Sequence, residues 1–141
     1  MSIGYVSLIM SEPGLKMKSC ILKNASEERL IFLIKHNIEM LNKILDFNYT
    51  HSIFLFRISS GFIPFASHTI NKINWCKMFK KGLLKLGEKA KKYGVRLSMH
   101  PGQYTTLTTL DNEVLERSIN DLQYQTSVLD CMGLDSSNKI I

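Results

Sequence analysis

The sequence predicts an α/β fold on a parallel sheet, and three observations predict it. Short apolar runs alternate with longer amphipathic stretches three times along the chain. The runs are rich in β-branched and aromatic residues, and the stretches between them are bounded by residues that start and stop helices. Helices that return each strand to the same direction imply parallel strands joined by right-handed crossovers, either doubly wound or closed into a (β/α)8 barrel.

Each element has its own justification. Ile3 to Ile9 is short and apolar and runs into Ser11, Pro13 and Gly14, which predicts a strand entering a loop. Glu27 to Phe47 places Leu30, Leu33, Ile34, Ile38, Leu41, Ile44 and Leu45 three and four apart, the stripe of an amphipathic helix. Asn24, with Glu27 three residues on, is the expected start signal and Asn48 the expected stop. Ile53 to Ile58 is continuously apolar apart from Arg57, as expected of a strand covered on both faces. Ser59 to Ile73 holds Ser59-Ser60-Gly61 and Pro64 and predicts a loop. A second helix is expected from Asn74 as N-cap to Tyr93, with Gly94 as its left-handed terminator. Val95 to Met99 is a third strand, stopped by Pro101-Gly102. A third helix is expected from about Glu113 to Met132, with Gly133 just past it, and Lys139-Ile140-Ile141 opens a fourth apolar run.

The predicted architecture is therefore three βα units plus the start of a fourth strand. No Gly-x-Gly-x-x-Gly follows any strand, so a nucleotide-binding doubly wound sheet has no specific support. A (β/α)8 barrel needs roughly 250 residues. At 141 residues the chain corresponds to the N-terminal half of one, and residues 1–141 are expected to form one partial barrel domain truncated before the second half.

The composition, 45% hydrophobic and 21% charged, excludes a disordered or fibrous chain. Without a long apolar run or a leader, a soluble, intracellular protein is expected. Lys and Arg number 18 against 12 Asp and Glu, a formal charge of +6 that raises a polyanionic partner. Nine basic residues between Lys72 and Arg96 face a single acid, Glu88. A solvated helix face is the expected role of most of these lysines. Cys20, Cys76 and Cys131 are widely spaced and free of any Cys-x-x-Cys, which predicts buried free thiols rather than a disulfide or a zinc cluster.

In parallel α/β folds ligands sit at the carboxyl ends of the strands. Those positions are polar here: Tyr5 and Ser7 on the first strand, Arg57, Ser59 and Ser60 on the second, Ser98 and His100 on the third. His100 precedes a rigid Pro-Gly turn, where an imidazole can bind a metal, exchange a proton or serve as a hydrogen-bonded structural residue. His68, in the loop after the second strand, lies where it can converge with His100. Gln103-Tyr104 projects beyond the turn, either as a plain exposed pair or as an amide and ring suited to probing a nucleobase. His36 and His51 lie away from this rim, with a surface or structural role. Asn37 interrupts the apolar stripe of the first helix and is expected to bond a neighbouring loop. No acidic residue stands at the three strand ends, so a carboxylate-rich metal centre is incomplete in this segment.

The stretches Arg57-Ile58-Ser59-Ser60, Pro64-Phe65-Ala66-Ser67-His68 and Arg96-Leu97-Ser98-Met99-His100-Pro101-Gly102-Gln103-Tyr104, in that order and spacing, closely resemble the UV damage endonuclease family. Ile3-Gly4-Tyr5, Asn37 with Leu41 to Asn48, and Glu116-Arg117-Ser118-Ile119 with Asp121-Leu122 fit the same pattern. The resemblance implies a TIM barrel of about twice this length that nicks damaged double-stranded DNA on the 5′ side of UV photoproducts and related lesions, leaving a 3′ hydroxyl. It further implies a centre of several divalent metal ions, manganese ahead of zinc or magnesium. By resemblance His100 is a metal ligand, Gln103 and Tyr104 probe the lesion, and His68 and Tyr5 take active-site positions, His68 as a phosphate or water contact before a ligand. The remaining ligands lie outside this chain. The alternatives are another barrel metalloenzyme, such as an abasic-site endonuclease or sugar isomerase, and a non-catalytic DNA-binding remnant whose open half-barrel self-associates. No membrane partner is expected, and the compartment is cytoplasm or nucleus.

Overall fold

A computed structural model describes residues 3–138. Strands β1 (Gly4–Val6), β2 (Leu55–Ile58) and β3 (Arg96–Met99) form one parallel sheet in the order β1-β2-β3. Helices α1 (Glu27–Thr50), α2 (Trp75–Met78), α3 (Lys80–Tyr93) and α4 (Asn112–Cys131) fill the connections. The α/β class and the parallel sheet are as the sequence predicts, and the fourth apolar run falls on residues 139–141, outside the described residues. Among the described residues no helix is long and apolar enough to cross a membrane.

Strand register sorts the side chains by face. Tyr5, Phe56 and Leu97 align across the sheet, with Ile58 and Met99 in the next row. These residues pack into a core with Ile34, Leu41 and Ile44 of α1, Leu83 and Leu86 of α3 and Val128 of α4. Each such side chain withdrawn from water contributes about 1.5–3 kcal/mol before entropy is charged. The opposite face carries the rows Gly4–Leu55–Arg96 and Val6–Arg57–Ser98. Leu55 and Arg57 are only half-buried, so β2 is covered on one face, not two. Gly4 is required where it stands, since a Cβ there would overlap the backbone and Cβ of Leu55.

Element ends depart from expectation for local reasons. β1 stops at Val6 because Ser7 turns to a φ of 57° and the Leu8 N–H bonds back to the Val6 carbonyl. The N-cap of α1 is Ser26, whose hydroxyl accepts from the Arg29 N–H at 3.2 Å, and Asn24 belongs instead to a preceding 3₁₀ turn, Leu22–Asn24. Asn48 does not stop α1, which continues to Thr50. Asn74 caps α2 as expected, accepting from the Lys77 N–H, but the single predicted helix is interrupted at Phe79. Gly94 and Gly133 take φ of 66° and 68°, ending α3 and the turn after α4.

The cysteines overturn the free-thiol expectation. α2 packs on α4, which brings Cys76 and Cys131, 55 residues apart in sequence, to a Cα separation of 5.9 Å and into a disulfide. Cys20 alone is free, and it is half-buried. Lys89 of the basic block pairs with Asp46 at 2.7 Å, while Lys77, Lys80, Lys81, Lys85 and Lys92 are exposed on α2 and α3.

Candidate functional site at the strand ends

Three loops leave the carboxyl ends of the strands, and the helices hold each of them. Asn37, fully buried on α1, accepts from the Lys18 N–H at 2.7 Å and donates to the Lys18 and Phe62 carbonyls, both at 2.9 Å. Its amide therefore joins the loop after β1 to the loop after β2, as its place in the apolar stripe implied. Tyr124 of α4 donates from its hydroxyl to the Ser60 carbonyl at 2.9 Å and accepts from the Ile63 N–H at 3.0 Å. Further along α4, Asp121 and Ser118 hold the loop after β3.

The two rim histidines are exposed and differ in their hydrogen bonds. His100 Nδ1 lies 2.5 Å from the Pro101 carbonyl. A carbonyl only accepts, so Nδ1 carries the proton, and in the neutral ring Nε2 keeps the lone pair with which an imidazole can ligate a metal. His68 is the reverse: its Nδ1 accepts from the Ile70 N–H at 3.1 Å, which puts the neutral ring's proton on Nε2. That ring presents a donor, suited to a phosphate oxygen or a water. His51 bonds the Phe47 carbonyl at the far end of α1, away from this rim, whereas His36, expected to lie away from it, bonds the Lys16 carbonyl in the loop after β1; both act as structural residues.

Gln103 and Tyr104 occupy the middle of a turn closed by the Thr105 N–H to the Gly102 carbonyl at 2.9 Å. Both side chains are exposed, Tyr104 to 84%. Beside them an open depression of about 510 Å³ is lined by Ser67 from the β2 loop, by Gly102, Tyr104 and Thr105, and by Val114, Arg117, Ser118 and Asp121 of α4. The loops bearing His68 and Tyr104 thus meet over one helix. Among the described residues no three His, Cys, Asp or Glu side chains converge on a metal position.

Tyr5 is placed apart from this group. Its ring packs on Phe56 at 5.0 Å, on the helix-covered face, and its hydroxyl donates to Asn48 Oδ1 at 2.5 Å. Asn48 is fully buried, which is why it stays inside α1. Burial pushes the Tyr5 phenol up to about 12, against the opposing pull of the Asn48 bond. For Tyr124 burial raises the phenol further, opposed by the Ile63 amide and reinforced by nearby Asp121. Both raised values mean the folded chain keeps protons that the unfolded chain releases near pH 10. Stability is accordingly intact below pH 10 and falls as pH rises from about 10 to 12. Urea midpoints between pH 8 and 11 should show that decline, and Tyr124→Phe should flatten it; equal slopes would contradict the phenol's assignment.

The parallel sheet, with polar, imidazole and exposed aromatic groups on the loops that follow its strands, defines an α/β protein of the class whose sites are built on strand-end loops. The family model for UV-endonuclease UvdE matches residues 1–141, and the chain belongs to that family of enzymes. It is 40% identical over 141 residues to a UV DNA damage endonuclease of Clostridium perfringens, covering all of this chain and 34% of that protein. A UV DNA damage endonuclease of Bacillus cereus strain G9842 is 31% identical over 148 residues, covering 99% of this chain and 47% of its own length. The crystal structure of SacUVDE superposes with a TM-score of 0.93 at 40% identity, over 99% of this chain and 48% of that one. The chain thus spans between a third and a half of the length of these relatives.

Sequence reasoning assigns no role to Asp121 or Tyr124 beyond the family resemblance, and reads Asn48 only as a helix stop. Asp121 had a signal: with Ser118 and Gln125 it puts polar groups on the same side of α4 as Val114 and Val128, as Asn37 does on α1.

Proposed function

We propose that this chain supplies one wall of a metal-dependent site that nicks duplex DNA on the 5′ side of UV photoproducts and related lesions, within the N-terminal half of a (β/α)8 barrel. The observation that carries this reading is the set of strand-end loops: an exposed imidazole that in its neutral form keeps its lone pair on Nε2, an exposed imidazole with its N–H on Nε2 and an exposed amide–aromatic turn, in a chain of the UvdE family. The strand order β1-β2-β3 runs without reversal and the helices share one face. Barrel topology has both properties, whereas doubly wound sheets carry helices on both faces.

Divalent metal ions, when bound, polarise the scissile phosphodiester and make an attacking water nucleophilic at neutral pH. His100 would hold one of them through Nε2, with manganese the first choice and zinc or magnesium the others. In this reading the rest of the ligand set lies outside the described residues. His68 would donate from Nε2 to a phosphate oxygen or a water, and Tyr5 would hold β1 through Asn48. Gln103 and Tyr104 would enter a duplex at the lesion, where weakened pairing lowers an unstacking cost of a few kcal/mol. Selection would then follow deformability and not base identity. Damaged DNA is accordingly the proposed partner and an intracellular setting the proposed location.

Calorimetric titration with Mn²⁺ tests the ligand. His100→Ala should weaken binding about tenfold or more while His68→Ala leaves it near wild type; equal losses or none would remove His100 from the metal. A second reading, DNA binding without catalysis, is favoured by the absence, among the described residues, of any group of three His, Cys, Asp or Glu side chains that could hold a metal. Steeply salt-dependent duplex binding with no Mn²⁺-dependent nicking of photoproduct DNA would select it.

A further inference from the structure

We propose that Asp121 is a positioning residue for damage recognition, fixing the Gln103–Tyr104 turn from below; this rests on the reading of that pair as the group that enters DNA. One carboxylate oxygen, Asp121 Oδ2, accepts from both ends of the turn, the Gly102 N–H at 3.3 Å and the Thr105 hydroxyl at 2.7 Å. The Gln125 amide donates to the same oxygen at 3.1 Å and steadies it from one helical turn away. The next residue out, Thr106, donates its N–H at 2.9 Å to the Ser118 hydroxyl, which itself donates to the Val114 carbonyl at 2.8 Å. Residues 118, 121 and 125 recur three and four apart, so these groups share one face of α4.

The pattern has a purpose that packing alone does not require. Gln103 and Tyr104 are exposed, so burial does not order them. A solvated turn of this kind would sample many conformations, and ordering it on contact with a ligand would cost about 1–2 kcal/mol per residue of backbone entropy. Tying residues 102, 105 and 106 to a helix settles that cost during folding and leaves only the two side chains to find their partners. Gly102 does not have a positive φ, and a Cβ there would meet only the Thr105 hydroxyl and the Asp121 carboxylate at 3.9 and 4.0 Å, ordinary contacts. The stiffness at this position thus comes from the carboxylate and not from a glycine conformation.

Two measurements on the 141-residue chain test the assignment. Hydrogen exchange reports the anchor: in Asp121→Ala, protection at Gly102, Thr105 and Thr106 should fall about tenfold or more while Val128 and Leu129 stay unchanged. Asp121→Asn should retain most of it, because the amide oxygen can still accept. Fluorescence anisotropy reports recognition: the ratio of affinities for a photoproduct duplex over the intact duplex should fall about tenfold in Asp121→Ala, with intact-duplex affinity unmoved and the Asn variant rescuing. Thr105→Val, which deletes one of the three donors, should give a smaller change in the same direction even if Asp121→Ala folds poorly. Unchanged protection in Asp121→Ala overturns the anchor. Lost protection with a wild-type ratio, in a background where Gln103→Ala/Tyr104→Ala does lose the ratio, overturns the recognition role. A ratio unmoved by Gln103→Ala/Tyr104→Ala as well overturns the DNA reading of the pair.

Discussion

Asn37→Ala is expected to destabilise the chain by about 3 kcal/mol, the larger part from one stranded acceptor. The Phe62 carbonyl is bonded by Asn37 in a buried position, whereas water can reach the groups of Lys18. Truncation also leaves a void in α1 beneath two loops. Asn37→Asp is the sharper variant. Its shape is unchanged, but it places a carboxylate at a site with no exposure, facing two carbonyls. The folded-state pKa of that carboxyl would rise above its unfolded value, so stability should be lowest at neutral pH and recover as pH falls and the group is protonated. Urea unfolding of both variants at pH 7 and pH 5 checks the ranking. Equal midpoints for Asp and Asn at pH 7 would mean that the clamp is open to water.

Opening the Cys76–Cys131 bond should cost about 4 kcal/mol on a chain-entropy account for a loop of that span. The bond fastens α2 to the last residue of α4, so its loss widens the unfolded ensemble without removing apolar contacts from the sheet. The expected result is a lower urea midpoint for the double variant Cys76→Ser/Cys131→Ser, reproduced in the parent by reductant. Coincident curves for oxidised and reduced parent would show that helix packing alone holds α2 in place. In a reducing compartment the reduced value is the working stability.

The legible part of the fold was the part written in short-range pattern. The α1 stripe from Leu30 to Leu45, the β-branched run at β2 and the Asn74 and Gly94 helix signals each depend on neighbours within a few residues, and each element appears near its expected place. The errors come from partners far along the chain. Asn48 reads as a helix stop until Tyr5, 43 residues away, occupies it. Cys76 reads as a free thiol until α2 meets α4. At the rim, the strand-end positions of His68 and His100 and the exposure of Gln103 and Tyr104 followed from strand and turn signals. Which imidazole nitrogen carries the proton did not follow, because the backbone groups of Ile70 and Pro101 decide it. Asp121 and Tyr124 were equally out of reach, since their partners lie 16 to 64 residues away.

Tyr124, Asp121 and Ser118 all hang from α4, and between them they hold the loops after β2 and β3. Those loops are surface segments by position, yet their opening is tied to that of a core helix. Heat or denaturant that melts α4 releases both together, so the two halves of the rim belong to one cooperative unit and lose their shape in a single step, not loop by loop.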